Sequence, residues 1–287
     1  MKREVNVKEV WVKLQGGLGN QLFQYAFGNL IASKNNFELI VDCKEINITQ
    51  SSRGILDFTL PGKFVNKNRI LNQFIFKKPP IKFDRVVADD SFSLKYLDFD
   101  KPNSYFEGFF QSYSIASEFL SKFPSLTLKS ESRVFREKRS EILSDQPIVL
   151  HVRRGDYKDN PHWGLLQPPY YVEGITHLRN KNQESIWVFS DEIESVRKEF
   201  TSSNIFNATT KTDKINWFPG TIKLTAAETL KLISKSDRIV IGNSTFSVWS
   251  AYLNQNALIV APKQFYFNQD SGERLDPSWH RIESKWI

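Results

Sequence analysis

Residues 147–156 read PIVLHVRRGD, a short apolar run that breaks off into two arginines, a glycine and an aspartate. The run at 147–152 is too short for a helix and carries the β-branched residues Ile148, Val149 and Val152, which marks it as a strand buried on both faces. The same pattern recurs beyond it. Residues 186–189 (IWVF), 238–241 (RIVI) and 257–261 (ALIVA) read as further strands, and helical spacing appears near 170–180, 193–200, 225–235 and 245–254. Short apolar strands alternating with helices predict a parallel sheet covered on both sides.

Polar residues gather where these strands end. His151, Arg153, Arg154 and Asp156 follow the first, Ser190 and Asp191 the second, and Asn243, Ser244, Thr245 and Ser247 the third. An open parallel sheet places its ligand crevice beyond the carboxyl ends of its strands, so the three segments are expected to meet there. Adjacent guanidinium forks match phosphate oxygens, Gly155 permits a tight turn beside them, and a Gly-Asn-Ser-Thr segment opening a helix offers free N–H groups to an anion. Taken one at a time, these residues read equally well as solvated arginines and helix caps. Their shared position beside a histidine points to a nucleotide diphosphate.

The N-terminal half opens as strand, glycine turn, helix and strand, over 9–14 (EVWVKL), 16–20 (GGLGN), 21–32 and 38–42 (ELIVD). Leu22, Phe23, Phe27, Leu30 and Ile31 share one helix face. Gly17 and Gly19 with Asp42 at the end of the next strand imitate a dinucleotide fingerprint, but Leu22 stands where its third glycine would be. Residues 50–145 show one clear strand, 104–110 (SYFEGFF). The expected division is a first domain over 1–145 and a second over 146–287.

The chain of 287 residues is 40% hydrophobic and 25% charged, with a net charge of +7 spread without blocks of like sign. That balance suits a globular protein with a substantial core and excludes a largely disordered one. One cysteine permits no internal disulfide, the first ten residues are polar, and no apolar stretch approaches the roughly 20 residues of a membrane helix. A cytoplasmic location is expected, with at most loose contact with the inner membrane face. Asp98 and Asp100 match the Asp-x-Asp of metal-dependent sugar transferases but read as a solvated turn. Four histidines and one cysteine form no zinc spacing.

Together, GGLGNQLFQYAFG at 16–28, YFEGFFQS at 105–112, HVRRGDY at 151–157, VFSDE at 188–192 and GNSTFSVWSAYL at 242–253 resemble the α-1,2-fucosyltransferases of glycosyltransferase family 11, bacterial members above all. The resemblance implies an α/β fold of GT-B type, with two Rossmann-like domains facing a cleft, the first on the acceptor side and the second holding the donor. It implies inverting transfer of L-fucose from GDP-β-L-fucose to the 2-hydroxyl of a terminal β-galactoside, carried on an oligosaccharide or glycolipid, with no metal or other cofactor and no nucleic-acid partner. By the same resemblance Arg153 and Arg154 clamp the diphosphate, His151 shapes the pocket near the guanosine, and Ser244, Thr245 and Ser247 add donor contacts. Ser190, Asp191 and Asn243 share that rim, and Asn20 falls at the reacting centre. Asp156, Glu107 and His162 are the candidates for an acid or base. Two other readings of the residues stay open: an NAD(P)- or flavin-dependent oxidoreductase using Gly17, Gly19 and Asp42, and a non-catalytic carbohydrate-binding protein, suggested by the 14% aromatic content.

Overall fold

The computed structural model describes residues 8–46, 53–65, 84–87, 99–219, 222–267, 269–270 and 272–286. These divide into two compact units, Met1–Lys129 and Ser130–Ile287.

The first unit is built on strands β1 (Glu9–Lys13), β2 (Glu38–Asp42), β3 (Lys63–Val65), β4 (Asp84–Val87) and β5 (Ser104–Glu107), with helices α1 (Leu18–Asn35) and α2 (Tyr113–Lys122). All neighbours run parallel, in the order β3-β2-β1-β5-β4. Helix α1 was expected to bury one face. Instead every residue from 18 to 32 is buried except Asn20, because α2 and the turn at Gly54–Asp57 cover the side away from the sheet. Phe27 stacks on Phe110 at 4.1 Å between ring centroids and meets Phe106 edge-on at 5.1 Å. Gly28 lets α1 lie against β1, since a Cβ there would come within 2.8 Å of Val12 Cγ1. The strand expected over 104–110 stops at Glu107, and Phe110 turns into the left-handed region at φ 52°.

The second unit contains α3 (Arg133–Asp145), β6 (Ile148–Val152), α4 (Pro168–Leu178), β7 (Ser185–Ser190), α5 (Ile193–Thr201), α6 (Asn204–Thr209), β8 (Lys214–Phe218), α7 (Ala226–Ile233), β9 (Arg238–Val240), α8 (Thr245–Tyr252), β10 (Leu258–Pro262), the short antiparallel pair β11 (Gln264–Tyr266) and β12 (Gln269–Asp270), and β13 (His280–Ile282). Its main sheet is parallel throughout, ordered β13-β10-β9-β6-β7-β8. From β6 the chain winds outward through β7 and β8, then returns to β9 on the other side of β6. The winding therefore reverses at β6, the place where open α/β sheets bind ligands.

The division after Lys129 departs from the expected boundary at 145/146. Helix α3, with no strand before it in the sequence pattern, packs on α7 within the second unit: Ser132 caps α3 and its N–H donates to Glu228 Oε1 at 2.7 Å. Strands β3, β4, β8 and β13 escaped the sequence reading. β8 and β13 are the edges of their sheet, and their polar residues on a half-exposed face erase the apolar run that marks a central strand.

Candidate functional site

The three polar segments of the second unit do meet beyond β6, β7 and β9. Arg153 Nη1 pairs with Asp191 Oδ2 at 2.6 Å, and the Arg154 backbone N–H donates to Asp191 Oδ1 at 3.0 Å, tying the β6 and β7 ends together. The Tyr157 hydroxyl donates to the Asn243 carbonyl at 3.0 Å, tying in the β9 end. Gly242 packs against the backbone of β6, where a Cβ would lie 2.8 Å from the His151 carbonyl.

Arg153 and Arg154 point in opposite directions. Arg153 keeps 29% of its side chain exposed, pairs through Nη2 with the exposed Asp156, and lies over the Tyr157 ring at 5.2 Å. Its buried Nε has no hydrogen-bond partner among the described residues. The expectation that both arginines form one clamp is corrected here. Arg154 turns inward with its side chain 2% exposed, donating from Nε and Nη2 to the two carboxylate oxygens of Glu199 at 2.9 and 2.7 Å. Its Nη1 and Nη2 also donate to the carbonyls of Arg153 and Leu166, each at 2.9 Å. The pair lies just beyond β6, and one side chain stays part-exposed while the other turns into the core.

His151 is buried at the end of β6 and stacks on Phe246 with centroids 5.3 Å apart. Burial holds its imidazole down to a pKa of about 4, with Asp191 opposing and Arg153 reinforcing the shift. It is therefore neutral near pH 7, and its Nδ1 has no partner among the described residues. A neutral imidazole with a spare nitrogen can accept or donate one hydrogen bond to a ligand.

At the β9 end, Ser244 caps α8 by accepting from the Phe246 N–H at 3.3 Å, and Thr245 is half-buried in the first turn. Two residues expected to contact the donor are instead used internally. The Asn243 amide donates to the carbonyls of Trp163 and Gly164 at 2.8 and 3.2 Å, and Ser247, fully buried, donates to the carbonyls of Gly242 and Ser244 at 2.9 and 2.8 Å. They shape the loop rather than line the crevice. Ser190 likewise caps the turn after β7, accepting from the Glu192 N–H at 3.1 Å. His162 stands on an exposed turn whose carbonyl accepts from the Phe267 N–H at 3.0 Å.

In the first unit, the glycine turn works through Gly16, which takes φ 72° and leaves no room for a Cβ beside Asn20 Nδ2. Gln21 and Gln24 are structural: Gln21 bridges the Gly16 carbonyl at 2.8 Å and the Ile55 N–H at 3.0 Å, and Gln24 bridges the Gln15 N–H at 2.9 Å and the Gly108 carbonyl at 3.1 Å. Asn20 remains half-exposed and accepts from Gln111 Nε2 at 3.0 Å. Asp42 does not offer a ribose site. Its buried carboxylate accepts from the Lys44 N–H and Nζ at 3.0 Å each and from the Tyr105 hydroxyl at 3.1 Å. Glu107, at the end of β5, stands 3.7 Å from Lys13 Nζ. Of the Asp-x-Asp, Asp98 lies outside the described residues. Tyr157 and Glu199 were given no role from the sequence; an aromatic two residues past a glycine and a glutamate on a surface-patterned helix carry no signal until the fold brings the first to Arg153 and the second to Arg154.

A family model described as glycosyl transferase family 11 matches residues 11–283. An Escherichia coli α-1,2-colitosyltransferase is 28% identical, over 96% of this chain and 99% of its own. A second Escherichia coli relative, the O-antigen biosynthesis glycosyltransferase WbnK, is 25% identical over 93% of this chain and 98% of its own. Among solved structures, the fucosyltransferase NodZ from Bradyrhizobium superposes with a TM-score of 0.51 at 13% identity, over 89% of this chain and 96% of its own. NodZ α-1,6-fucosyltransferase co-crystallised with GDP gives a TM-score of 0.50, again at 13% identity, over 89% of this chain and 94% of its own. Two parallel α/β units and this likeness make the fold GT-B in type.

Proposed function

The chain belongs to glycosyl transferase family 11, and from that premise we propose that it transfers L-fucose from GDP-β-L-fucose to the 2-hydroxyl of a terminal β-galactoside, with inversion to an α linkage. The observation that carries the reading is Arg153: a half-exposed guanidinium at the reversal point of the second sheet, with an unpartnered Nε, beside a neutral His151 and the N-terminus of α8. Such a set favours a nucleotide diphosphate over a free sugar. As GDP departs, negative charge grows on its β-phosphate, and a preoriented cation acts more strongly on that state than on the bound donor. To reach the phosphate, Arg153 exchanges Asp156, whose exposed carboxylate is cheaply resolvated. His151 lies where the base or ribose would meet a neutral hydrogen-bonding edge. Asn20, the one half-exposed residue from 18 to 32 of α1, is read, on the family resemblance, as acting at the reacting centre.

The oxidoreductase reading is disfavoured, because Asp42 is already saturated by Lys44 and Tyr105. A second reading of the sugar has its own support. The 28% identical relative is an α-1,2-colitosyltransferase, so a colitosyl donor is the competitor to fucose at the same diphosphate site.

We place the reaction on the cytoplasmic side. No helix among the described residues is long and apolar enough to cross a membrane, and the galactoside is carried on an oligosaccharide or lipid-linked glycan. The deciding experiment incubates the protein with GDP-fucose or a colitosyl donor and an array of β-galactosides, and reads donor hydrolysis, product mass and linkage by NMR. An α-1,2-fucosyl product is expected. A product formed from the colitosyl donor alone would replace fucose in this reading, and binding of neither nucleotide sugar would end it.

A further inference from the structure

We propose that Glu199 and Arg154 form a buried positioning pair that sets the aim of Arg153, an inference that rests on reading Arg153 as the diphosphate contact. The Arg154 guanidinium joins three segments at once: α5 through both oxygens of Glu199, the chain before α4 through the Leu166 carbonyl, and its own loop through the Arg153 carbonyl. The peptide between residues 153 and 154 is thereby held from both sides. Its carbonyl accepts from Arg154 Nη1 at 2.9 Å, and its N–H donates to Asp191 Oδ1 at 3.0 Å. Asp191 Oδ2 then takes Arg153 Nη1 at 2.6 Å, so the same carboxylate fixes both the root and the tip of the Arg153 side chain.

The residue types follow from this task. Only a planar guanidinium presents enough donors, in fixed directions, to hold a bidentate carboxylate and two carbonyls together. A cation 2% exposed also needs its counter-charge, and Glu199, with 29% of its side chain exposed, is the acid whose two oxygens meet the fork. Glu199 sits on α5, far along the sequence, and its hydrogen bonds run to the Arg154 guanidinium, so it is through Arg154 that it bears on Arg153.

A pair that merely stabilises the fold and a pair that aims Arg153 make different predictions. Glu199→Gln preserves shape and removes the charge; the double variant Arg154→Met with Glu199→Leu replaces the pair by apolar side chains of similar length, a change that buried ion pairs commonly tolerate in stability. Three readouts are taken on each: the melting temperature, the Arg153 Nε–H resonance of the ligand-free protein labelled in arginine and assigned with Arg153→Lys, and GDP affinity by calorimetry. Glu199→Gln is expected to move the Arg153 resonance and weaken GDP by about tenfold, as for a misaimed charge-assisted contact. The double variant is expected to regain most of the melting temperature while the resonance stays displaced and GDP stays weak. Recovery of resonance and affinity together with stability would reduce the pair to a staple and overturn the proposal, as would an unmoved Arg153 resonance in Glu199→Gln. Should the wild type bind no GDP, the donor reading alone falls, because the resonance still reports whether the pair controls Arg153.

Discussion

Gly155 and Asp191 stand so close that a side chain on the first would overlap Oδ2 of the second, the oxygen that holds Arg153. The backbone of Gly155 does not need a positive φ; the space is what excludes a Cβ. Gly155→Ala should therefore move Asp191 away from Arg153, lowering stability by about 1–3 kcal/mol as overpacking does and lowering kcat/KM well beyond what that loss explains. Urea unfolding set beside turnover checks it. A variant with normal turnover would show that Asp191 is free to shift.

The two arginines should separate cleanly on substitution. Arg153→Ala removes a half-exposed side chain, so its stability should stay within about 0.5 kcal/mol of the wild type while GDP binding and kcat both collapse. Arg153→Lys should rescue only part, since an ammonium cannot reproduce a planar fork. Arg154→Ala should instead lose about 3–5 kcal/mol, the cost of leaving Glu199 facing a desolvated gap. Calorimetric melting and GDP titration of the three variants test the assignment; equal effects of Arg153→Ala and Arg154→Ala on stability would undo it.

Acid should expose His151. Burial holds its pKa down to about 4, whereas in the unfolded chain it lies at about 6.5. Between those values the unfolded state binds a proton that the native state refuses. The stability is thus complete above the unfolded value and declines as pH falls towards the native one, by about 3 kcal/mol in all. His151→Phe should flatten this slope in urea unfolding followed between about pH 4 and pH 7. Burial alone would raise the carboxyls of Glu184 and Asp213, but Arg238 at the first and Arg179 at the second outweigh it and hold both below their ordinary values. Their contribution begins to fall as pH drops through the ordinary carboxylate range, overlapping the acid end of the histidine window, and is lost fully only in stronger acid. An unchanged slope in His151→Phe would mean that the histidine is open to water.

Asn20→Ala should leave GDP affinity nearly intact and lower kcat by about 10², the order for losing a positioned transition-state contact. The same substitution removes one hydrogen bond of Gln111 and should cost little stability, since the contact is half-exposed. Normal turnover with only a lower melting temperature would make the glycine turn purely structural.

Turnover should survive excess EDTA. In the proposed site the charge of the leaving diphosphate meets Arg153 and the N-terminus of α8, so no divalent ion is assigned to it. Activity lost to EDTA and restored by manganese or magnesium would return the Asp98 and Asp100 motif to the argument.

Much of this protein was legible in one dimension because its central strands are buried on both faces. A segment such as IVLHV can satisfy such a position only by being apolar along most of its length, so β6, β7, β9 and β10 announce themselves, and with them the crevice at their carboxyl ends. Family membership was equally legible, since the glycine turn, the double arginine and the Gly-Asn-Ser-Thr segment lie in order along nearly the whole chain. The edge strands were not, because a half-exposed strand tolerates polar residues.

Nor could the sequence tell which arginine of the pair stays at the surface and which turns inward. Arg153 and Arg154 have identical chemistry, and their opposite fates come from Glu199, 45 residues away for Arg154, and from Asp191 and Tyr157 around Arg153. The same holds for Asn243 and Ser247, donors by residue type that the fold turns onto main-chain carbonyls, those of Trp163 and Gly164 for the first and that of Gly242 for the second. Residue type decides what a side chain can bind; packing decides whether water, ligand or the protein itself is the partner, because a buried polar group must find one nearby or be left unsatisfied.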